Sequence, residues 1–181
     1  MAIYVTSDAH GHVRALDEAL SKISLASDDT LYVLGDMIDR GPDPVGVIKL
    51  VRSLPNARVL KGNHEQIMLD AIIGQDPLDA ETWDINGGWT TRQQLNDMEF
   101  EAYEELVRWM ATLPLYAVVE TDERPYLLVH AGIQTEAARA FLFEHGVDCA
   151  DGTGAVDADR ELLKQMLAVQ SSDDLLWIRH G

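Results

Sequence analysis

Asp8-Ala9-His10, Gly35-Asp36-Met37-Ile38-Asp39-Arg40-Gly41 and Gly62-Asn63-His64-Glu65 decide the fold, because each closes an apolar run of strand character. Ile3-Tyr4-Val5-Thr6 leads into Asp8, Leu31-Tyr32-Val33-Leu34 into Asp36, and Arg58-Val59-Leu60 into Asn63. Strands alternating with helices gather such blocks at the carboxyl edge of a parallel sheet, where open α/β sheets bind ligands. Carboxylate, imidazole and amide oxygen converging there make a site for two divalent metals. Two such ions about 3.5–4 Å apart clamp a phosphoryl group and activate a water.

Working outward, Val13, Leu16, Leu20 and Ile23 recur at helical spacing, so a helix follows the Asp8 block. Pro42 and Pro44 suit the first turn of a second helix with Val47, Ile48 and Val51 on its apolar side. A third is expected over 66–73. Asn86-Gly87-Gly88-Trp89 reads as a loop or turn. Phe100, Tyr103, Leu106, Val107 and Met110 mark a fourth helix, ended before Pro114. Two strands are expected over 116–120 and 126–129, a Gly- and Asp-rich loop over 146–156, and a fifth helix over 160–169. No internal repeat or low-complexity tract interrupts this order.

The chain has 181 residues, 46% hydrophobic and 25% charged, a globular balance with enough length for a sizeable core. A formal net charge of −17 from 31 acidic and 14 basic residues argues against nonspecific nucleic-acid binding. It does not argue against a phosphorylated substrate, since bound metals invert the local field. The single cysteine, Cys149, excludes an internal disulfide. No apolar run approaches the ~18 residues of a membrane span, and no charged region precedes an apolar stretch at the N-terminus. The default compartment is the cytoplasm, with no membrane partner.

Asp8 and His10, two apart after a strand, point the same way and can grip one hard or borderline metal. Asp36 has two carboxylate oxygens and can bridge two ions. Asn63 offers a neutral amide oxygen. His64 and Asp39 are better placed as an acid pair than as ligands: His64 protonates the leaving oxygen and Asp39 orients its ring. Arg40 can hold phosphate oxygens with a bidentate fork that lysine cannot copy. His130 follows Leu127-Leu128-Val129 and precedes Ala131-Gly132. A histidine ending an apolar strand is by itself more often a hydrogen-bonded core residue. Beside three ligand blocks the balance tips to a ligand. His12 reads as peripheral, His145 as solvated, Met68 and Met110 as core, and Cys149 as no nucleophile. Asp28-Asp29 and Asp173-Asp174 read as solvated turns or helix caps.

In this order, Asp-x-His-Gly at 8–11, Gly-Asp-x-x-Asp-Arg-Gly at 35–41, Gly-Asn-His-Glu at 62–65 and His-Ala-Gly at 130–132 resemble the phosphoprotein-phosphatase branch of the calcineurin-like metallophosphoesterases. Each block alone is modest; together they are specific, over nearly the whole chain. Gly62-Asn63-His64-Glu65-Gln66 followed by Asn86-Gly87-Gly88 is similar to small bacterial and phage serine/threonine protein phosphatases. Leu175-Leu176-Trp177-Ile178-Arg179 resembles the Trp-x-Arg segment of that group. The resemblance implies an α/β metallophosphoesterase β-sandwich flanked by helices in four layers, as one catalytic domain over 1–181. It implies Asp8, His10 and Asp36 at one metal and Asp36, Asn63 and His130 at the other. It also implies Arg40, Arg179 and Asn63 on the phosphate, His64 with Asp39 as the acid pair, and Mn2+ as the activating ion, with iron or zinc also accepted. Family members continue to a Gly-His-Thr-like block and further strands beyond the point where this sequence stops at Gly181. A C-terminally incomplete domain with three protein ligands at the second metal is therefore expected, with an exposed sheet edge.

The main expectation is a metal-dependent serine/threonine protein phosphatase. It would act on phosphoserine and phosphothreonine proteins or small phosphomonoesters, by direct attack of an activated water. A bis(5'-nucleosyl)-tetraphosphatase of the same superfamily is the enzyme alternative. A truncated fragment that holds metal and phosphate with little activity is the binding alternative.

Overall fold

Three parallel strands, β1 (Ile3–Thr6), β2 (Thr30–Val33) and β3 (Ala57–Val59), lie side by side in chain order. Ile3 pairs with Thr30 and Thr6 with Val33; Leu31 pairs with Ala57 and Val33 with Val59. Parallel neighbours need crossovers, and helices supply them: α1 (Val13–Ile23) joins β1 to β2, and α2 (Pro44–Ser53) joins β2 to β3. Pro44 opens α2, and Asp43 caps it by accepting from the Gly46 N–H at 2.9 Å. Pro42 lies just outside the helix.

The structure, a computed structural model, describes residues 1–74, 76–148 and 158–178. The chain divides into two compact units, Met1–Pro114 and Leu115–Gly181. The first continues through α3 (Asn63–Ile73), α4 (Pro77–Ile85), α5 (Trp89–Asn96) and α6 (Phe100–Ala111). Its core unites Leu31 and Val33 of β2 with Met37, Ile38, Val47, Ile48, Val51, Met68 and Met110, all essentially without exposed surface. Each such aliphatic side chain contributes about 1.5–3 kcal/mol on burial. Met68 and Met110 are core residues, as their spacing predicts.

In the second unit, β4 (Tyr116–Glu120) and β5 (Pro125–Val129) form an antiparallel hairpin with Tyr116 opposite Val129. The turn is closed by the Thr121 hydroxyl, which donates to the Arg124 carbonyl at 2.9 Å. α7 (Thr135–Glu144), α8 (Arg160–Ala168) and α9 (Ser172–Trp177) complete this unit. Val118, Ala138, Leu142, Leu163, Met166, Leu167 and Leu175 form its core.

The chain adopts the expected α/β class, and among the described residues its helices flank two small sheets, one of three strands and one of two. The helix read over 66–73 begins at Asn63, so the Asn63-His64-Glu65 block is its first turn. α4, α5, α7 and α9 had no counterpart in the sequence reading. They are short and bury few apolar positions; α4 buries only Trp83 and α5 only Leu95 among its large apolar residues. The expected loop over 146–156 falls mostly outside the described residues, as do Cys149, Arg179 and His180. Among the described residues no helix is long and apolar enough to cross a membrane.

Candidate metal centre

The hydrogen-bond ladder of the parallel sheet runs on past the ends of its strands. The Asp8 N–H donates to the Gly35 carbonyl at 3.2 Å, His10 to Asp36 at 2.9 Å and Gly11 to Met37 at 2.9 Å. Two of the three sequence blocks are thereby zipped backbone to backbone. The third is pulled in by a buried carboxylate. Glu65 Oε2 accepts from the Asp36 and Gly62 N–H groups, both at 2.8 Å, and Oε1 accepts from Met37 at 2.8 Å. Burial drives the Glu65 carboxyl above its usual range, and the charge of Asp36 adds to this. The three N–H donors oppose it. Gly35 is required at this crossing: a Cβ there would fall 2.2 Å from the Gly62 nitrogen.

Five non-glycine residues of these blocks adopt positive φ: Asp8 at 55°, His10 at 40°, Asp36 at 54°, Asp39 at 68° and Arg40 at 64°. Asp and His tolerate this region better than most residues, and Arg does not. Strain of order 1 kcal/mol or more at each persists only where the surroundings over-determine the backbone, and such positions cluster at functional sites.

The side chains converge. Asp36 Oδ1 accepts from the His64 backbone N–H at 3.0 Å, and Oδ2 lies 3.6 Å from His10 Nε2 and 4.0 Å from His64 Nε2. Asp8 Oδ1 stands 3.9 Å from His10 Nε2. Ligand-capable atoms of His10, Asp36 and His64 all lie within 4.8 Å of one another. The His10 and His64 rings meet edge to face, 4.7 Å between centroids.

Both imidazoles are held through Nδ1. His10 Nδ1 donates to the Ile38 carbonyl at 2.8 Å, and His64 Nδ1 donates to Asp39 Oδ2 at 2.7 Å. Each ring therefore presents the Nε2 lone pair, and Arg40 spans the two, Nη1 donating to His10 at 2.9 Å and Nη2 to His64 at 2.8 Å. Burial pushes the His10 imidazole below the usual histidine value, outweighing the Ile38 carbonyl and Asp36, which act the other way. A neutral ring, oriented by a carbonyl and flanked by two carboxylates, is a donor set that fits a hard or borderline divalent ion.

Asp8, His10, Asp36, Asp39, Arg40, Asn63 and His64 thus share one edge of the first unit. Asn63 is buried at the start of α3. His130, half-buried directly after β5, belongs to the second unit. His12 is exposed, and His145 is exposed and stacked on Phe141 at 4.2 Å. Three contributors escaped the sequence reading. Glu65 stands inside the third block, but nothing in its type or spacing marks it as the clamp on the Asp36, Met37 and Gly62 N–H groups. Trp83 and Thr91, whose side chains donate to Asp39, lie 44 and 52 residues further along. The Asp76-Pro77 cap-and-proline start of α4 was the available signal for the helix that carries Trp83.

A family model described as calcineurin-like phosphoesterase matches residues 1–179. The symmetrical bis(5'-nucleosyl)-tetraphosphatase of Erwinia tasmaniensis is 32% identical over 136 residues, 74% of this chain and 45% of that protein. The enzyme of the same name from Proteus mirabilis is 32% identical over 139 residues with the same shares. The chain thus spans about half the length of the curated relatives it matches. A solved structure provisionally assigned as a diadenosine tetraphosphatase superposes with a TM-score of 0.52 at 24% identity, over 72% of this chain and 50% of that one. A protein serine/threonine phosphatase of Saccharomyces cerevisiae gives a TM-score of 0.52 at 21% identity, over 75% and 39%. At these identities the two structures speak for the fold alone. The curated relatives correct the expectation of a serine/threonine protein phosphatase with phosphoprotein partners. The two relatives described above are named tetraphosphatases, and the likeness to a protein phosphatase is one of fold.

Proposed function

The chain belongs to the calcineurin-like phosphoesterase family, and from that premise we propose that it is a divalent-metal-dependent hydrolase of dinucleoside polyphosphates, dinucleoside tetraphosphates foremost. The observation that carries this reading is the 32% identity, over 74% of the chain, to proteins named symmetrical bis(5'-nucleosyl)-tetraphosphatase. The charge balance agrees with it: a chain at −17 suits a small anionic substrate met at a local cationic site better than a long nucleic acid.

In this reading Asp8, His10 and Asp36 would hold one ion, and Asp36, Asn63 and His130 the other, as the family resemblance implies for one catalytic domain over 1–181. Bound divalent metals supply Lewis acidity and a hydroxide nucleophile near neutral pH. Arg40 donates its two-pronged fork to phosphate oxygens; its present acceptors, the lone pairs of His10 and His64, are the groups a metal and a proton would take up. Arg179, outside the described residues, is the second proposed phosphate grip. His64 gives a proton from Nε2 to the oxygen that leaves phosphorus. Asp39 keeps Nδ1–H engaged, so that Nε2 is the nitrogen that exchanges with substrate. One phosphoanhydride P–O bond breaks, one water oxygen is gained, and central cleavage yields two nucleoside diphosphates. Manganese, with iron or zinc as alternatives, and a cytoplasmic location are the remaining parts of the proposal.

The test is to incubate the chain with diadenosine tetraphosphate and Mn2+ beside a phosphopeptide, and to separate the nucleotides. ADP as the sole product is the expected result. Phosphate release from the peptide with the dinucleotide intact would overturn the reading. Metal-dependent dinucleotide binding without turnover would restrict this span of sequence to binding.

A further inference from the structure

Asp39 has no exposed surface, and three side chains donate to its carboxylate. His64 Nδ1 donates to Oδ2 at 2.7 Å. The Thr91 hydroxyl donates to Oδ1 at 2.6 Å. The Trp83 indole Nε1–H lies between the two oxygens, 3.0 Å from Oδ1 and 3.2 Å from Oδ2. The Thr91 oxygen also accepts from the Asp39 backbone N–H at 2.9 Å, closing a small ring around a residue at φ 68°. Asp39 and Thr91 are 0% exposed, His64 1% and Trp83 3%, so the carboxylate and its donors are shielded from bulk solvent.

The α4–α5 corner is shaped for this contact. A Cβ on Gly88 would fall 2.3 Å from Trp83 Nε1, so only glycine there lets the indole lie where it does. The Gly87 carbonyl accepts from the Arg40 backbone N–H at 3.0 Å, tying the same turn to the residue after Asp39. Arg92 closes the outer side, its guanidinium 5.0 Å from the Trp83 ring and ion-paired to Asp84 at 2.8 Å.

We propose that Trp83 and Thr91 are positioning residues for the acid pair: they fix the Asp39 carboxylate so that it meets His64 Nδ1 in one geometry. This rests on the reading of His64 as proton donor. Neither residue touches substrate; both act through Asp39. A buried carboxylate with three donors has one orientation, whereas losing a donor frees it to turn and leaves a polar group unpaired.

The test uses the full chain and the variants Thr91→Val, Thr91→Ser and Trp83→Phe. Proton NMR of the deshielded His64 Nδ1–H needs no substrate. Thr91→Val and Trp83→Phe should shift or broaden that signal, and Thr91→Ser should restore it. In turnover, Thr91→Val should lower kcat about 10–100-fold with KM and metal content unchanged. The loss should be larger for phenyl phosphate than for p-nitrophenyl phosphate, whose better leaving group needs less help from an acid. Added to His64→Ala, Thr91→Val should cost almost nothing more, because residues acting as a unit are not additive. An unmoved Nδ1–H signal in folded Thr91→Val would overturn the proposal, as would a loss equal for both leaving groups and additive with His64→Ala. If diadenosine tetraphosphate proves not to be the substrate, the NMR and leaving-group results still decide the role of Trp83 and Thr91.

Discussion

The His10 corner and the His64 corner flank the same carboxylate, Asp36, and present the same atom to it, yet they are built differently. His10 sits on the loop after β1 with its Nδ1–H on a peptide carbonyl, that of Ile38. His64 sits in the first turn of α3 with its Nδ1–H on a carboxylate, that of Asp39. A carbonyl orients a ring without offering it a charge; a carboxylate offers one. The first arrangement suits a neutral ligand to a metal, and burial holds His10 toward that neutral state. The second suits a ring that must carry an extra proton for part of a cycle. Proximity alone does not separate them, since both rings lie within reach of Asp36 Oδ2. What separates them is the atom behind each ring.

The strongest way to break that contrast is to remove each ring in turn. His64→Ala should lower turnover by about 10²–10⁴, the span of a general acid, with bound metal retained. His10→Ala should lose turnover and metal together. Metal content by elemental analysis beside steady-state rates reads both. Equal metal loss in the two variants would make His64 a ligand and dissolve the distinction.

Asp39→Asn attacks only the His64 corner. The amide keeps the size of the carboxylate but offers one acceptor oxygen where three donors compete. His64, Thr91 or Trp83 must then face the NH2 group. A loss of about 10–100-fold in kcat is expected, with the metal still bound and His10 undisturbed. A metal titration followed by kinetics checks this, and weakened metal binding would argue that the acid pair and the metal site are one network.

How legible the two corners were in the sequence differs in the same sense. Asp8, His10, Asp36, Asn63 and His64 each stand within a few residues of an apolar strand, so the run of the strand announces the block, and parallel crossovers gather the blocks. The supports behind them carry no such mark. Thr91 and Trp83 belong to helices whose buried faces are too small to give a helical period. The left-handed backbone at Asp8, His10, Asp36, Asp39 and Arg40 falls on residues whose type does not ask for it. α9, six residues long, is shorter than two turns and gives no periodicity. Local chemistry was readable because strands place it; the restraint on that chemistry was not, because it comes from 44 and 52 positions away, in the Asp39 contacts of Trp83 and Thr91.

Arg40 touches both corners and sharpens the comparison. The two prongs of its fork reach Nε2 of both rings, a pair of contacts that a lysine ammonium does not reproduce in the same geometry. Arg40→Lys should weaken inhibition by inorganic phosphate about tenfold, in line with loss of one charged hydrogen bond, while turnover falls less than in His64→Ala. Unchanged phosphate inhibition would remove Arg40 from the substrate contacts and leave it as a spacer between the two histidines.

The smallest effect is expected from a carboxylate that orients no imidazole. Asp29 accepts from the Ala2 and Ala26 N–H groups at 2.5 and 3.0 Å, at the amino end of the sheet whose carboxyl edge carries the site. These bonds, the Ala2 one foremost, hold its carboxyl below the usual aspartate value. A depressed carboxylate contributes its stability above the unfolded value near 3.8 and loses it as pH falls through the lower folded value. Asp29→Asn should therefore leave kcat and metal content unchanged. It should lower Tm slightly at neutral pH, and that difference should shrink below about pH 4. The same Asp→Asn exchange, made at Asp39 and at Asp29, then separates a carboxylate that holds a reacting side chain from one that holds only backbone. A loss of turnover in Asp29→Asn with the fold intact would mean that the strand ends transmit strain to the site, and that His10 and His64 are not set by their local partners alone.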